Sequence, residues 1–212
     1  MNTAHQVSPR KLEPRGRPSA TVQPAWVRIT HWLNAIAVVI MMLSGWRIYN
    51  ASPLFDFRFP NAITLGGWLA GALQWHFAAM WLLVANGLFY LVMNLLTGRF
   101  RRRFLPLSVP AALRDMAAAM RGQLTHPNLA DYNAAQKLFY LGVVVLIVLT
   151  VLSGLAIWKS VQFPLLRVLM GGYDAARWVH FIGMSAITLF LVIHVVMVLL
   201  VPRTFIIMLR GR

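Results

Sequence analysis

"RWVHFIGMSAITLFLVIHVVMVLL" (residues 177–200) is almost wholly apolar and long enough to cross a bilayer, yet it carries His180 and His194. About 20 consecutive apolar residues suffice to span the hydrocarbon core. An ionisable side chain inside such a span is costly and rare. The spacing of the two is informative. At about 1.5 Å and about 100° per residue, fourteen residues separate them by roughly 21 Å along the axis and leave both on nearly one face.

Three further stretches pass the same length test, at about residues 26–49, 73–96 and 138–158, with the last span at about 178–201. The pattern predicts an all-α protein, an integral membrane four-helix bundle. Composition agrees. The 212 residues are 59% hydrophobic and 12% charged, against about a quarter charged in soluble domains. There are no cysteines, which excludes disulfides, thiolate-held clusters and a covalently attached c-type haem. Any metal must be held by histidine or oxygen.

Twenty Lys and Arg against five Asp and Glu give a net charge of +15. The basic residues flank apolar spans, so they read as topology signals rather than as a nucleic-acid surface. Fifteen of the twenty lie in the N-terminal tail and span start, in the 97–137 segment and at the C-terminal end. This places both termini in the cytoplasm. Residues 1–24 are rich in Pro, Arg and Ser without an apolar period and read as a disordered basic tail. The apolar stretch after them is too long for a signal-peptide core, and no A-x-A site follows it. Residues 25–205 form the four-span domain, and 206–212 a basic C-terminal tail.

The cytoplasmic connector holds "GRFRRRF" (98–104), a basic stop, and "VPAALRDMAAAMRGQL" (109–124). In the latter Val109, Leu113, Met116 and Met120 recur at helical spacing, which predicts a short surface helix whose basic residues meet lipid headgroups. The segments 50–72 and 159–176 carry Pro, Gly and aromatics. They either cap the bundle or offer a surface to an extracytoplasmic partner. "LSGWRI" (43–48) and "LSGLAI" (152–157) echo each other at one depth of spans 1 and 3. Small residues here permit close helix packing, and Gly45 and Gly154 also leave room for a flat cofactor.

Four of the six histidines lie in spans: His31, His76, His180 and His194. Span direction sorts them by depth. His31, near the start of span 1, shares the inner level with His194, near the end of span 4. His76 and His180, early in spans 2 and 4, share the outer level. Two levels with two histidines each, from different helices, are what two bis-histidine haems require. Zinc lacks accompanying Cys or carboxylate ligands, and a proton relay lacks an acidic residue within any span.

The strings "RITHWLNA" (28–35) and "DYNAAQKLFY" (131–140), with the fourteen-residue histidine spacing in span 4, resemble the prokaryotic cytochrome b561 superfamily. That group includes the cytochrome b subunits of Ni-Fe hydrogenase, formate dehydrogenase gamma subunits and thiosulfate-reductase-type cytochromes. The resemblance covers about residues 25–205. It implies two haem b groups, one on His31 and His194, the other on His76 and His180. It also implies a quinone near the inner haem, against Asn133, Tyr132 and Gln136, although Asn133 equally suits a helix cap. Ala135 stands where some members have glycine.

The resulting expectation is a bacterial inner-membrane di-haem cytochrome b of a respiratory chain. It would pass electrons between an extracytoplasmic oxidoreductase subunit, a molybdenum or Ni-Fe enzyme, and the quinone pool. It would be the electron-transfer subunit rather than the substrate-converting one. Two competing readings are a stand-alone haem-containing quinone reductase and, from another class, a histidine-relay transporter or proton channel.

Overall fold

The computed structural model describes residues 23–122 and 133–211; the tail (1–22) and the segment 123–132 lie outside the described residues. The described chain is helical: α1 (Ala25–Ala51), α2 (Leu69–Leu96), α3 (Arg99–Phe104), α4 (Val109–Met120), α5 (Ala134–Trp158), α6 (Pro164–Leu169), α7 (Tyr173–Leu200) and α8 (Pro202–Arg210), with a 3₁₀ turn at Asn61–Ile63. Helices α1, α2, α5 and α7, of 27, 28, 25 and 28 residues, are long and apolar enough to cross a membrane. At about 1.5 Å per residue each exceeds the roughly 30 Å hydrocarbon core.

These are the four predicted spans, extended at their N-terminal ends. Helix α2 starts at Leu69, α5 at Ala134 and α7 at Tyr173, four or five residues ahead of the apolar runs. Hydropathy marks only the part of a helix in hydrocarbon, whereas the first turns sit in the interface and carry polar residues such as Gln136, Lys137 and Asp174. The predicted surface helix is α4. Helix α8 is an addition that the sequence reading did not contain.

The interior is made mostly of small and polar residues, Ala37, Ala72, Ala79, Ala156 and Ala176 with Thr30, Ser44, Asn86 and Ser153, joined by a few larger ones such as Leu83 and Phe104. The bulky side chains point outward, among them Trp81, Leu88, Phe89, Val145, Ile182, Leu189 and Val192. In water this arrangement would be inside out. In a bilayer the lipid solvates the bulky faces, and small residues let helix backbones approach.

Packing divides the bundle into two antiparallel hairpins, α1 with α2 and α5 with α7. Contacts fix their direction. Asn86 Nδ2 donates to the Thr30 carbonyl (2.8 Å) and to Asn34 Oδ1 (2.7 Å), while Ser44 meets His76, so numbers rise along α1 as they fall along α2. The hairpins meet mainly through side chains. Tyr49 stacks on Phe181 (5.1 Å) between α1 and α7. Phe77 packs on Trp158 (4.6 Å) between α2 and α5, and the Tyr140 hydroxyl bonds that of Tyr90.

Both ends of the bundle are closed. At the end bearing the termini, Arg28 Nη1 donates to the Leu209 carbonyl (2.5 Å) and Trp32 Nε1 to that of Met208 (3.3 Å), which ties α8 back onto α1. Asp115 of α4 accepts from the backbone N–H groups of Ala134 (2.8 Å) and Ala135 (3.3 Å), capping α5 from a neighbouring helix. At the opposite, distal end the α1–α2 loop folds over as an aromatic lid. Phe59 stacks on Trp46 (4.8 Å), Phe57 on Tyr49 (5.2 Å), and Phe55 meets Trp178 edge-on (5.0 Å). Residues 50–72, open between cap and partner surface in the sequence, do cover this end of the bundle through these contacts.

Gly183 sets the α5–α7 approach. A Cβ there would lie 2.4 Å from Thr150 Oγ1, whose hydroxyl donates to the Leu146 carbonyl at 2.7 Å. Gly183→Ala should therefore destabilise the detergent-solubilised protein by about 1–3 kcal/mol, the usual cost of overpacking, read as a lower thermal midpoint. Gly142→Ala on α5, with open space around its Cβ, should leave the midpoint unchanged or slightly raised.

Candidate cofactor site

Two histidine pairs lie between the hairpins. The rings of His31 (α1) and His194 (α7) have centroids 6.1 Å apart with planes at 66°. Those of His76 (α2) and His180 (α7) are 6.4 Å apart at 64°. The first pair sits toward the end that carries the termini, the second toward the distal end. All four side chains are only partly buried, although each lies in the middle of the bundle's cross-section. The cause is the loose seam between hairpins, where backbones stand apart.

The distal pair is held by hydrogen bonds. Ser44 Oγ lies 3.1 Å from His76 Nδ1. Ser153 Oγ lies 3.2 Å from His180 Nδ1, and the Thr150 carbonyl 2.9 Å from the same nitrogen. A carbonyl can only accept, so Nδ1 of His180 carries the proton and Nε2 the lone pair. Each serine sends its own proton to its helix backbone, Ser44 to the Ile40 carbonyl (2.7 Å) and Ser153 to the Thr150 carbonyl (3.0 Å). Each hydroxyl thus offers a lone pair to the imidazole.

Gly45 and Gly154 lie against these same rings. A Cβ at Gly154 would be 3.0 Å from His180 Cε1, and one at Gly45 would be 3.5 Å from His76 Cε1. Ser44, Ser153 and Thr150 were not among the candidate residues read from the sequence. The signal was present in the repeated Leu-Ser-Gly, which reads there as close packing and room for a flat cofactor, with no role for the serine hydroxyls.

The quinone candidates Asn133 and Gln136, and basic residues near the outer level, have structural partners. Asn133 caps α5: its Oδ1 accepts from the Gln136 N–H (2.7 Å), and Gln136 Oε1 accepts from the Asn133 N–H (3.1 Å), a reciprocal capping box. Tyr132 lies outside the described residues. Arg47 donates to Asn61 Oδ1, and Arg177 to the Ser52 carbonyl (2.6 Å). Both thereby fasten the distal lid. Lys159 Nζ sits 4.5 Å over the Trp158 ring.

Two imidazoles that each bind one metal at about 2 Å stand with ring centres about 6 Å apart. Both pairs have this spacing. Among the described residues no three His, Asp or Glu side chains converge, so at each level the side chains offer an imidazole pair rather than a complete metal shell. The family model for prokaryotic cytochrome b561 matches residues 22–211. The chain belongs to the prokaryotic cytochrome b561 family.

A relative from Azospira oryzae, provisionally named the protein-methionine-sulfoxide reductase subunit YedZ1, is 59% identical over 190 residues, covering 90% of this chain and 96% of that one. No solved structure matches the chain. As a prokaryotic cytochrome b561, the protein is a multi-pass bacterial membrane cytochrome that carries haem b and transfers electrons. The residues present fit such a group: imidazoles at metal-bridging distance, a seam with few backbone contacts, and glycines at the ring edges.

The two glycines are not equivalent. Gly154→Ala forces His180 to move, whereas Gly45→Ala meets His76 at ordinary contact distance. Haem per chain in purified Gly154→Ala should fall by up to one equivalent or show a shifted Soret band, with Gly45→Ala close to wild type by pyridine haemochrome assay.

Proposed function

We propose that the protein is a di-haem cytochrome b joining the quinone pool to an extracytoplasmic oxidoreductase subunit. His31 and His194 would hold the haem on the cytoplasmic side, and His76 and His180 the haem on the outer side. The observation that carries this reading is the pair of imidazole couples, 6.1 and 6.4 Å apart, at two depths of one bundle. When bound, the two haems supply one-electron chemistry on both sides of the low-dielectric layer.

The chain's own residues hold the ligand geometry and keep water out. Small residues bring each hairpin together, and the aromatic lid around Phe55, Phe57 and Phe59 covers the outer end. The basic termini and the arginine-rich α3 favour the cytoplasmic side for the opposite end. There the capping box commits the side-chain oxygens of Asn133 and Gln136. The amide NH₂ groups remain as donors suited to a quinone carbonyl.

The Azospira relative is named as a subunit of a reductase acting on protein methionine sulfoxide. Near-complete coverage at 59% identity supports a partner of that kind over a hydrogenase. A reductase consumes electrons, so flow runs from quinol toward the outer partner.

A reduced-minus-oxidised spectrum of the purified chain should show a b-type alpha band with two haems per chain. His180→Ala and His194→Ala should each retain one. A single haem in the wild type, or loss of both in each variant, would overturn the assignment. Quinol in proteoliposomes should reduce the wild type, and Gln136→Leu should slow this several-fold while leaving haem content intact.

A further inference from the structure

The two histidine levels differ in what stands behind the rings. At the outer level each imidazole has Nδ1 against a buried serine hydroxyl, Ser44 for His76 and Ser153 for His180, at 3.1 and 3.2 Å, and His180 Nδ1 also faces the Thr150 carbonyl at 2.9 Å. Both serines are fully buried. Each lies on the hairpin partner of the helix that carries its histidine. The two contacts are therefore related by the repeat of Leu43-Ser44-Gly45 in Leu152-Ser153-Gly154.

At the inner level no hydrogen bond reaches His31 or His194 among the described residues. His31 meets Trp32 edge-on (5.3 Å), and His194 stacks on Phe190 (5.8 Å, 13°). The polar groups flanking His31 are already committed. Thr30 Oγ1 donates to the Trp26 carbonyl (2.9 Å), and Asn34 Oδ1 accepts from Asn86 (2.7 Å).

A hydrogen bond from Nδ1–H to an acceptor fixes the tautomer and ring orientation and makes Nε2 a stronger donor to a metal. For haem iron, a more basic axial ligand stabilises the ferric state and lowers the reduction potential. The acceptors here are uncharged, so the effect is graded rather than a full deprotonation.

We propose that Ser44 and Ser153 are a matched pair of positioning residues that orient His76 and His180 and lower the reduction potential of the outer haem, with no counterpart at the inner haem. This rests on the di-haem reading above. An electron at the outer site would leave for the partner with more driving force, while among the described residues the inner rings meet aromatic neighbours.

The test is a potentiometric titration of the purified chain, followed at the alpha band, with His180→Ala identifying the inner component. Ser44→Ala should raise the outer midpoint, Ser153→Ala should raise it less because the Thr150 carbonyl still accepts from His180 Nδ1, the double variant should raise it further, and the inner midpoint should stay in place. Low-temperature EPR should show a shifted low-spin signal for the outer haem only. Ser→Thr, which keeps the hydroxyl, should restore the wild-type midpoint.

Where an alanine variant sheds the outer haem, Ser→Cys, similar in volume but a weaker acceptor, carries the same measurement. An unmoved outer midpoint, equal shifts of both components, or Thr variants that behave like Ala would overturn the proposal. A wild type holding one haem would instead overturn the di-haem reading on which it rests.

Discussion

Two pairs of imidazoles meet edge-on inside an apolar bundle, their planes inclined at 66° and 64°, and the rest of the structure accommodates them. A bare histidine at membrane depth is expensive, so four of them demand partners within the bundle. The bundle answers by packing tightly within each hairpin and loosely between them. Ala37, Ala72 and Ala79 close α1 on α2, while Ala156, Ala176 and Gly183 serve α5 and α7. The seam left between hairpins is where all four rings point.

The polar interior follows from the same constraint. The largest fully buried side chains are Asn94, Thr30, Ser44 and Ser153, none of them apolar. In hydrocarbon each must find a partner, and most do so on their own helix. Thr30, Ser44, Thr150 and Ser153 return their hydroxyl protons to carbonyls three or four residues back. A serine satisfied in this way still has a lone pair to offer. At two places that lone pair faces a histidine.

The ends of the bundle do different work. At the distal end arginines and asparagines act as fasteners for an aromatic lid: Arg177 on Ser52, Arg47 on Asn61, and Asn50 on the Phe59 backbone in both directions at 2.8 Å. At the end with the termini, α4 and α8 bind to the spans through Asp115, Arg28 and Trp32. The arginines named here are thus occupied with loops and helix ends.

The spans were legible because a bilayer imposes a length of apolar sequence on any helix that crosses it. Their first turns were not, since residues such as Asp174 and Gln136 stand outside the hydrocarbon, where that demand lapses. Helix α8 escaped notice because nine residues with one apolar face cannot be told from a basic tail by composition. The family, too, was legible from the histidine spacing and short flanking strings.

The sequence by itself determined the number of spans, the depth of each histidine and the exclusion of thiolate chemistry, because helical rise and residue type depend on nothing distant. Only the tertiary structure decided that Ser44 faces His76, that Ser153 faces His180 and that Asp115 caps α5. Each joins residues 19 to 32 positions apart, and such a contact depends on how one helix is rotated against another, which packing sets and local sequence does not.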